Sequence, residues 1–373
     1  MIAPRLYFTV TTDLNYDQRM QRICGSLAEA GYEVWLVGRE WSNSRPLVLQ
    51  PYQQHRLRCW FQRGKLFYLE YNLRLLLYLL PRRAAVWCAI DLDTALPVWL
   101  RAQLGGQPFV YDAHELFTEV PEVVARPTVQ RVWRWVEQFI VPRADLAYTV
   151  GPALARVFEE RYQRPVEVVR NISRLTEAVL PPTPPTAAGY ILYQGALNAG
   201  RGLEALLEAM PQVAGRLVIC GEGDLSESLR ARAAALGLLA SRQVEFRGFV
   251  LPDALREVTQ NAAVGVMLLE NQGLSYYYSL ANKFFDYLHA GTPQVVVDFP
   301  EYRALNDQYD VAEIVPDLKP ATLAATLNYL LRDNPARYQQ LAENCRRARR
   351  ELSWQHEEQH LLALYADLVG RKF

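Results

Sequence analysis

A glycine-rich turn in the second half of the sequence combines residues that suit an anion. Gly195, Gly200 and Gly202 follow the apolar run 190–194, and Arg201 stands between the last two glycines. Glycines let backbone amides approach a ligand, and the helix that follows adds partial positive charge to that of the arginine. The spacing is neither that of a nicotinamide fingerprint nor that of a P-loop. We therefore predict a diphosphate site, with a tight turn carrying a solvated arginine as the alternative.

A lysine and a carboxylate three residues apart follow in the segment 279–293. Lys283 and Asp286 share one face of a predicted helix, near its start. A carboxylate there can bind both hydroxyls of a ribose, and a lysine can neutralise phosphate. The two segments together predict a pocket for a diphosphate and a ribose. The alternative for the pair alone is an exposed ion pair worth roughly a few tenths of a kcal/mol.

Short β-like runs alternate with helical patterns along almost the whole chain, which is typical of parallel α/β sheets. The predicted strands are 6–11, 33–37, 86–90, 109–111, 146–150, 166–169, 190–194, 217–220, 244–246, 264–268 and 294–297. The predicted helices are 17–30, 129–140, 152–161, 203–210, 225–235, 253–260, 282–289, 321–332, 335–351 and 354–368.

The proline-rich stretch 181–189 interrupts this alternation and marks a domain boundary, because so many prolines cannot continue a helix or a central strand. We predict a Rossmann-like domain over 1–175, a linker over 176–189, a second Rossmann-like domain over 190–351, and a final helical segment over 352–373. Two parallel sheets of this kind bind ligands at the carboxyl ends of their strands.

His114 follows the predicted strand 109–111, so it lies at an edge where ligands bind. We predict that it contacts a bound ligand; the alternative is a structural histidine that caps the strand. Asp91 and Asp93 form an Asp-x-Asp pair after another strand, which is a metal-binding pattern. We reject that role because the pair is far along the chain from the turn and from Lys283.

The composition is that of a globular protein and excludes several classes. Half of the 373 residues are hydrophobic, 21% are charged and the formal net charge is zero, so neither disorder nor nucleic-acid binding is indicated. The five cysteines lack CxxC spacing, which predicts reduced thiols and neither a disulfide frame nor a zinc site. We recognise no signal peptide and no uncharged apolar run of the ~18–20 residues that span a bilayer. We therefore expect a cytoplasmic protein.

The stretch from Arg56 to Lys65, with the aromatic and leucine-rich residues up to Arg82 and Arg83, mixes basic and apolar side chains. Such a surface fits anionic lipid headgroups, and hence peripheral contact at the inner face of a membrane. A domain helix packed on the sheet is the commoner explanation. The basic run 346–350 is more often a solvated helix face.

In order and spacing, these segments resemble the retaining, metal-independent glycosyltransferases of the GT-B fold, in the large family four (group 1). The segment 281–293, which reads Ala-Asn-Lys-Phe-Phe-Asp-Tyr-Leu-His-Ala-Gly-Thr-Pro, is similar to the donor-binding helix of that family. Further matches are Asp17-Gln-Arg19, Tyr111-Asp-Ala-His-Glu-Leu116, residues 144–150, Val169-Arg-Asn171, Gly221-Glu-Gly-Asp224, residues 244–249 and Leu352-Ser-Trp354. The resemblance covers nearly the whole chain.

The resemblance implies two Rossmann-like domains facing across a cleft, with the final helix crossing back to the first. It implies transfer of a sugar, with retention, from a UDP- or GDP-linked sugar to a glycan or lipid-linked acceptor in cell-surface polysaccharide or glycolipid synthesis. No metal and no cofactor beyond that co-substrate is expected. Catalytic roles fall to His114, Arg201 and Lys283. Donor contacts fall to Gly195, Gly200, Arg201, Gly221, Glu222, Gly223, Gly248, Phe249, Asn282, Lys283 and Asp286. On the acceptor side are Asn15, Asp17, His114 and Glu115.

The sequence departs from this family at three positions. Many relatives have two glutamates separated by seven residues, but the first position is Tyr278 here and the second is shortened to Asp286. Glu270 is a substitute for the first within the same loop. The arginine that often follows the first glycine of the donor turn is Ala196. The donor sugar therefore stays open, and two alternatives remain: a sugar-nucleotide epimerase of the same fold and a non-catalytic sugar-nucleotide-binding protein.

Overall fold

The computed structural model describes residues 3–176 and 189–370. The chain forms two compact units: the first comprises residues 1–171 and 355–373, and the second comprises residues 172–354. These boundaries lie a few residues from the predicted 175 and 351. The predicted linker 176–189 lies almost wholly outside the described residues.

The first unit is built on a seven-stranded sheet whose strands are all parallel. Its central strands are continuous apolar runs, because both faces of such a sheet are covered by helices. The strand order is β3-β2-β1-β4-β5-β6-β7. The strands are β1 (Arg5–Thr9), β2 (Glu33–Glu40), β3 (Gln53–Arg58), β4 (Val86–Ile90), β5 (Phe109–Ala113), β6 (Leu146–Thr149) and β7 (Glu167–Val168).

The helices of the first unit come from both ends of the chain. Those from the amino-terminal part are α1 (Gln18–Glu29), α2 (Gly64–Leu79), α3 (Ala95–Gly105), α4 (Pro121–Val124), α5 (Pro127–Ile140) and α6 (Pro152–Tyr162). The last helix of the chain, α15 (Trp354–Gly370), packs here as well. Its Tyr365 is buried against Phe8 of β1, with ring centroids 5.8 Å apart, and its hydroxyl lies 3.3 Å from that of Tyr148.

The second unit repeats the design with a six-stranded parallel sheet in the order β10-β9-β8-β11-β12-β13. Its strands are β8 (Tyr190–Gln194), β9 (Leu217–Cys220), β10 (Val244–Gly248), β11 (Ala262–Met267), β12 (Gln294–Val297) and β13 (Ala312–Val315). Its helices are α7 (Leu203–Ala209), α8 (Ser226–Ala235), α9 (Pro252–Gln260), α10 (Leu274–Tyr277), α11 (Asn282–Ala290), α12 (Pro300–Tyr309), α13 (Pro320–Asn328), which continues into a π-helical turn, and α14 (Pro335–Ala348). The hydrophobic core of the unit lies between the sheet and these helices.

Each predicted strand and helix overlaps an observed one, and the predicted α/β class is confirmed. Two strands, β3 and β13, were not among the predicted ranges, and neither were five helices, α2, α3, α4, α10 and α12. Strand β3 is a polar edge strand that pairs only with β2, and β13 is a four-residue edge strand, so neither shows a long apolar run. Helices α4 and α10 have only four residues each, which is too few to show a helical repeat in the sequence. All five cysteines are free and buried.

In both sheets the strand order reverses beside the first strand, between β1 and β4 and between β8 and β11. At such a reversal the loops after the two strands diverge and leave a crevice, which is where open parallel sheets bind ligands. A ligand site is therefore expected in the loops that follow β8 and β11, and in those that follow β1, β4 and β5.

Candidate functional site

Three glycines end neighbouring strands of the second unit and touch one another. Gly195, Gly221 and Gly248 have φ angles of +132°, +146° and +66°, which residues with a side chain rarely adopt. The amide of Gly195 donates to the carbonyl of Cys220 at 2.9 Å, and that of Gly221 donates to the carbonyl of Gly248 at 2.7 Å. A Cβ on Gly221 would overlap the Gly195 carbonyl. Glycines at these positions let the three strand ends approach one another closely, so that backbone atoms form the surface there and serve as the floor of a site.

The turn that follows Gly195 carries Arg201 against the end of strand β11. A Cβ on Gly202 would overlap the Leu268 carbonyl, so the turn packs tightly there. The Arg201 guanidinium lies over the Tyr276 ring at 5.1 Å. Its Nε is buried and has no hydrogen-bond partner among the residues that the structure describes. A buried guanidinium nitrogen without a partner is costly, and a bound anion would satisfy it.

Lys283 enters the same place from helix α11. A Cβ on Gly195 would stand 2.6 Å from its ammonium nitrogen, which lies 4.6 Å from the centroid of the Tyr193 ring. Burial, followed by the nearby charge of Arg201, lowers the pKa of Lys283 to about 7, while Asp286 opposes the shift. Within residues 3–176 and 189–370, Lys283 forms no ion pair. Among the described residues, the two cations share this site and neither forms an ion pair with a carboxylate.

Asp286, the predicted ribose contact, is held by the protein itself. Its carboxylate accepts a hydrogen bond from the Ser173 hydroxyl at 2.6 Å and another from the Gln194 side-chain amide at 3.2 Å. Gln194 accepts in turn from Thr259 at 2.8 Å. The aspartate is therefore oriented by side chains at the end of β8 and at the start of the second unit.

The other predicted donor residues follow strands β8, β9 and β10, except Asn282, which begins helix α11. Glu222 forms an ion pair with Arg230 at 2.5 Å, and the amide of Gly223 donates to the Ser226 hydroxyl at 2.8 Å. The remaining three predicted residues are Gly200, Phe249 and Asn282. Gly200 has a φ of +79° and accepts at its carbonyl from the amide of Glu270, Phe249 is exposed, and Asn282 is the first residue of α11.

Two residues concern the first glutamate of the family, which this chain lacks. Tyr278 stands at its position, and Glu270 is the candidate substitute. Tyr278 directly follows α10 and packs edge-on against Tyr277, with centroids 5.1 Å apart. Glu270 accepts from the side-chain amide of Gln272 at 2.9 Å, and a Cβ on Gly200 would meet that same side chain at 2.7 Å. Glu270 therefore lies beside the turn, whereas the position of Tyr278 supplies an aromatic ring.

In the first unit, His114 lies at the carboxyl end of β5 between two aspartates. Its Nε2 is 3.2 Å from the carboxylate of Asp112, and its Nδ1 is 3.9 Å from that of Asp91. Asp112 is fully buried and pairs with Arg19 at 2.9 Å. Burial opposes protonation of His114, but the two carboxylates prevail and raise its pKa to about 9. The imidazole is therefore a cationic hydrogen-bond donor at neutral pH.

Asp91 and Asp93 do not act as a simple exposed pair. Asp91 has a φ of +53° and accepts from the backbone amide of His114 at 2.9 Å, and Asp93 accepts from Thr11 at 2.5 Å. Burial raises the pKa of both carboxyls, to about 8 and about 6 respectively. Over the described ranges, no three His, Cys, Asp or Glu side chains are arranged to hold a metal ion.

The remaining acceptor-side residues have local structural contacts. Asn15 binds the loop 45–48, with its amide donating to the Pro46 carbonyl at 2.9 Å and accepting from the amide of Val48 at 3.1 Å. Asp17 caps helix α1 by accepting from the amide of Met20 at 3.1 Å. Glu115 is exposed beside His114. Of the acceptor set, His114 has the geometry of a site residue, while the sugar contacts of the other three stay predictions.

Sequence reasoning missed the side chains that support the charged groups. Tyr193 and Tyr276 lie beneath the two cations, and Ser173 and Gln194 hold Asp286. Tyr193 and Gln194 stand inside a run that predicts only a buried strand. The glutamine at the end of that apolar run was the one available signal, since a buried amide needs a partner.

Two family models match the chain, one for each half. The model described as Glycosyltransferase Family 4 matches residues 18–172, and the model described as Glycosyl transferases group 1 matches residues 188–333. The chain is also 34% identical over 110 residues to an uncharacterised glycosyltransferase of Methanocaldococcus jannaschii. That alignment spans 28% of this chain and 26% of the relative.

Solved structures share the fold over nearly the full chain. Sucrose-phosphate synthase from Thermosynechococcus elongatus superposes with a TM-score of 0.78 at 18% identity, over 99% of this chain and 100% of that one. Anabaena HepE in complex with UDP-glucose superposes with a TM-score of 0.75 at 12% identity, over 98% and 100% of the two chains. At these identities the likeness shows the fold alone, and it confirms the GT-B architecture of two Rossmann-like domains.

Proposed function

Because the chain belongs to the group 1 glycosyltransferases of family four, we propose that it transfers a sugar from a nucleotide-diphosphate sugar to a glycan or lipid-linked acceptor. A uridine or guanosine nucleotide is the proposed carrier, and the complex of HepE with UDP-glucose favours uridine. The proposed setting is the synthesis of cell-surface polysaccharide or glycolipid, on the cytoplasmic side and at the inner face of a membrane.

One observation carries the donor part of this proposal. Arg201 and Lys283 place two cations beside the Gly195 turn, and no carboxylate neutralises either of them among the described residues. Burial, and after it the neighbouring charge of Arg201, disfavours the charged form of Lys283 in the free protein and lowers its pKa to about 7. A diphosphate supplies the missing negative charge, so the site is poised for that ligand.

The same cations fit the chemistry of transfer. The bond between the anomeric carbon and the diphosphate oxygen breaks, and the leaving nucleoside diphosphate gains negative charge. Arg201 and Lys283 stabilise that charge most where it is largest, in the transition state, and this lowers the barrier. We place no metal in this role. The acceptor hydroxyl bonds to the anomeric carbon and its proton passes to an oxygen of the leaving diphosphate, and we propose that configuration is retained.

Residues of the first unit are proposed to bind the acceptor or the transferred sugar. His114 is held as an imidazolium chiefly by the ionised Asp112, so it donates hydrogen bonds and does not act as a general base at neutral pH. A cationic donor at a sheet edge suits a sugar hydroxyl or a phosphate of a lipid-linked acceptor. Glu115 is the neighbouring acceptor-side carboxylate.

Titration calorimetry with UDP, GDP and ADP tests the donor site. Arg201→Ala and Lys283→Ala are each expected to weaken the preferred diphosphate about tenfold or more, since each removes a charge-assisted contact. Lys319→Ala and Arg332→Ala, exposed cations of the same unit, are the matched controls and should bind like the parent. Unchanged affinity in both site variants would refute the site.

Tyr278 favours one competing function, because it leaves the usual position of the first glutamate without a carboxylate. On that reading the chain binds a sugar nucleotide without transferring the sugar. A panel of acceptors assayed with the preferred donor separates the two, since a transferase releases nucleoside diphosphate only when its acceptor is present. Incubation with donor alone, followed by product analysis, detects an epimerase.

A further inference from the structure

Helix α2 of the first unit displays a row of leucines to solvent. Phe67, Tyr71, Leu75 and Leu79 are buried and attach the helix to the sheet. The opposite side carries Leu66, Leu69, Leu73, Leu77 and Leu80, all exposed, and we refer to these five as the leucine stripe. Their spacing of three and four residues places them on one face. A helix packed on a sheet ordinarily presents polar residues there, so the stripe needs its own explanation.

Two aromatic side chains extend the stripe and are held in place by the helix. Trp60 is 83% exposed and Phe61 is also exposed. The carboxylate of Glu70 accepts from both of their backbone amides, at 3.0 and 2.9 Å, and the Arg74 guanidinium lies over the Trp60 ring at 4.6 Å. The loop is thus fixed in a conformation that presents its aromatic rings.

The surroundings of the stripe are strongly basic. Between residues 41 and 83 the sequence has eight lysines and arginines and one acidic residue, Glu70, although the whole chain is neutral. Arg58, Lys65 and Arg83 are exposed, and so is Arg63 at the start of α2. None of these four forms an ion pair within the described part of the chain.

From this arrangement we propose that the leucine stripe, with Trp60 and Phe61, is a docking surface for a membrane that contains anionic lipid. Leucine side chains enter the boundary between headgroups and acyl chains, a tryptophan lies at that boundary, and the surrounding cations bind anionic headgroups. The helix lies flat, because at 16 residues it measures about 24 Å and one of its faces is fixed to the protein. Among the described helices, none has the length and apolar character needed to cross a bilayer.

The charges distinguish a membrane from a second copy of the chain. A two-fold contact through the stripe would bring the same patch of exposed cations together from both copies, with Glu70 already bound within its own chain. An anionic surface neutralises those cations instead. The charge therefore favours lipid over self-association.

Flotation of the full chain with vesicles tests the surface directly. We expect binding to vesicles of equal phosphatidylcholine and phosphatidylglycerol, weaker binding to phosphatidylcholine alone, and release from the anionic vesicles as salt is raised. The variant Leu69→Gln/Leu73→Gln/Leu77→Gln, altered at side chains 69%, 57% and 60% exposed, is expected to bind the anionic vesicles about tenfold more weakly or worse. The matched control is Leu236→Gln/Leu239→Gln/Leu251→Gln, which changes exposed leucines of the second unit and should bind like the parent.

Three results would overturn the proposal. They are a parent that binds neither kind of vesicle, a stripe variant that binds as well as the parent, and a parent whose self-association in sedimentation is abolished by the stripe variant. The last would make the stripe a contact between copies. Vesicle binding is measured without donor or acceptor, so its failure would leave the proposed transfer reaction untouched.

Discussion

Lys283 and His114 show how one residue's surroundings set its charge. Both are cations when protonated, yet their pKa values shift in opposite directions. Two aspartates raise the pKa of His114 to about 9, whereas burial and the charge of Arg201 lower that of Lys283 to about 7. The histidine is thus stabilised as a cation in the free protein. For the lysine, the proposed diphosphate would be the comparable partner.

Proton uptake on nucleotide binding follows from the lowered pKa of Lys283. In the free protein at pH 8 the amine is mostly neutral, and a bound diphosphate restores the pKa toward its ordinary value. We expect up to about one proton to be taken up per nucleotide bound at pH 8, and affinity to fall as pH rises above about 7. Calorimetry in buffers of different ionisation enthalpy measures this uptake.

The control for this prediction is Lys283→Met, which keeps the bulk of the side chain and removes the titrating group. It should bind nucleotide weakly, with no proton uptake that depends on position 283.

The unfolding of the Lys283→Met variant provides a second test. Between about pH 7 and 10.5 the folded state binds fewer protons than the unfolded state. The lysine therefore lowers the free energy of unfolding increasingly as the pH falls through this range, and its full unfavourable effect is present below about pH 7. The variant should gain on the order of 1–3 kcal/mol at pH 7, measured by urea unfolding. A variant less stable than the parent would contradict the buried, unpaired lysine.

The loops that follow β8, β9 and β10 come together because three glycines meet there, and they form the floor of the proposed donor site. The sequence allowed Gly195, Gly200 and Gly202 to be predicted as an anion-binding turn, since glycines before a helix have a recognised physical use. It also allowed Lys283 and Asp286 to be placed on one helix face. The contact between Gly195 and Gly221 was not predictable, because it joins residues of different strands whose register is known only from the folded sheet.

The hydrogen bonds to Asp286 were unpredictable for the same reason. Ser173 lies 113 positions away along the chain and Gln194 lies 92 away, and nothing local to Asp286 indicates either partner. Strand β3 was also not predictable from its own residues. Its polar composition is unfavourable for a strand, and its pairing with β2 outweighs that composition. Local patterns thus identified the elements and the charged groups, while partners distant in sequence required the structure.

The pair Ser173 and Asp286 separates a ligand-binding role of the aspartate from a structural one. We expect Ser173→Ala to reduce the free energy of unfolding by about 1 kcal/mol, because one hydrogen bond to a carboxylate is lost. Its nucleotide affinity should stay close to that of the parent, since the carboxylate of Asp286 and its hydrogen bond from Gln194 are retained. Asp286→Ala should lower the affinity about tenfold or more. Chemical denaturation and calorimetry supply the two measurements.

A ribose analogue sharpens that test. If Asp286 binds the ribose, the loss seen with Asp286→Ala should vanish for a nucleotide that lacks both ribose hydroxyls, because no contact remains to be removed. A purely structural Asp286 would give a different pattern: Ser173→Ala and Asp286→Ala would both lower stability, and the affinity difference between the two nucleotides would be the same in the variants as in the parent.

The whole chain consists of two parallel-sheet units, and the second is one continuous segment, residues 172–354. The first is completed by the end of the chain. Glu357 of α15 pairs with Arg170 at 2.9 Å, Glu358 accepts from Ser26 at 2.7 Å, and Tyr365 is fully buried. The carboxyl-terminal helix is therefore part of the core of the first unit, which cannot bury its apolar surface without it.

This organisation predicts that damage to α15 destabilises one unit selectively. Tyr365→Ala should lower the free energy of unfolding of the first unit by roughly 3–5 kcal/mol, because it leaves a cavity between Phe8 and Tyr148. The second unit, which contains Arg201 and Lys283, should keep its own transition and its nucleotide affinity. Differential scanning calorimetry, with and without nucleoside diphosphate, distinguishes the two transitions. Tyr16→Ala, at an exposed tyrosine of the first unit, is the matched control and should change neither transition by more than about 0.5 kcal/mol. A single transition that shifts as a whole, with loss of nucleotide binding at the same temperature, would show instead that the two units unfold as one.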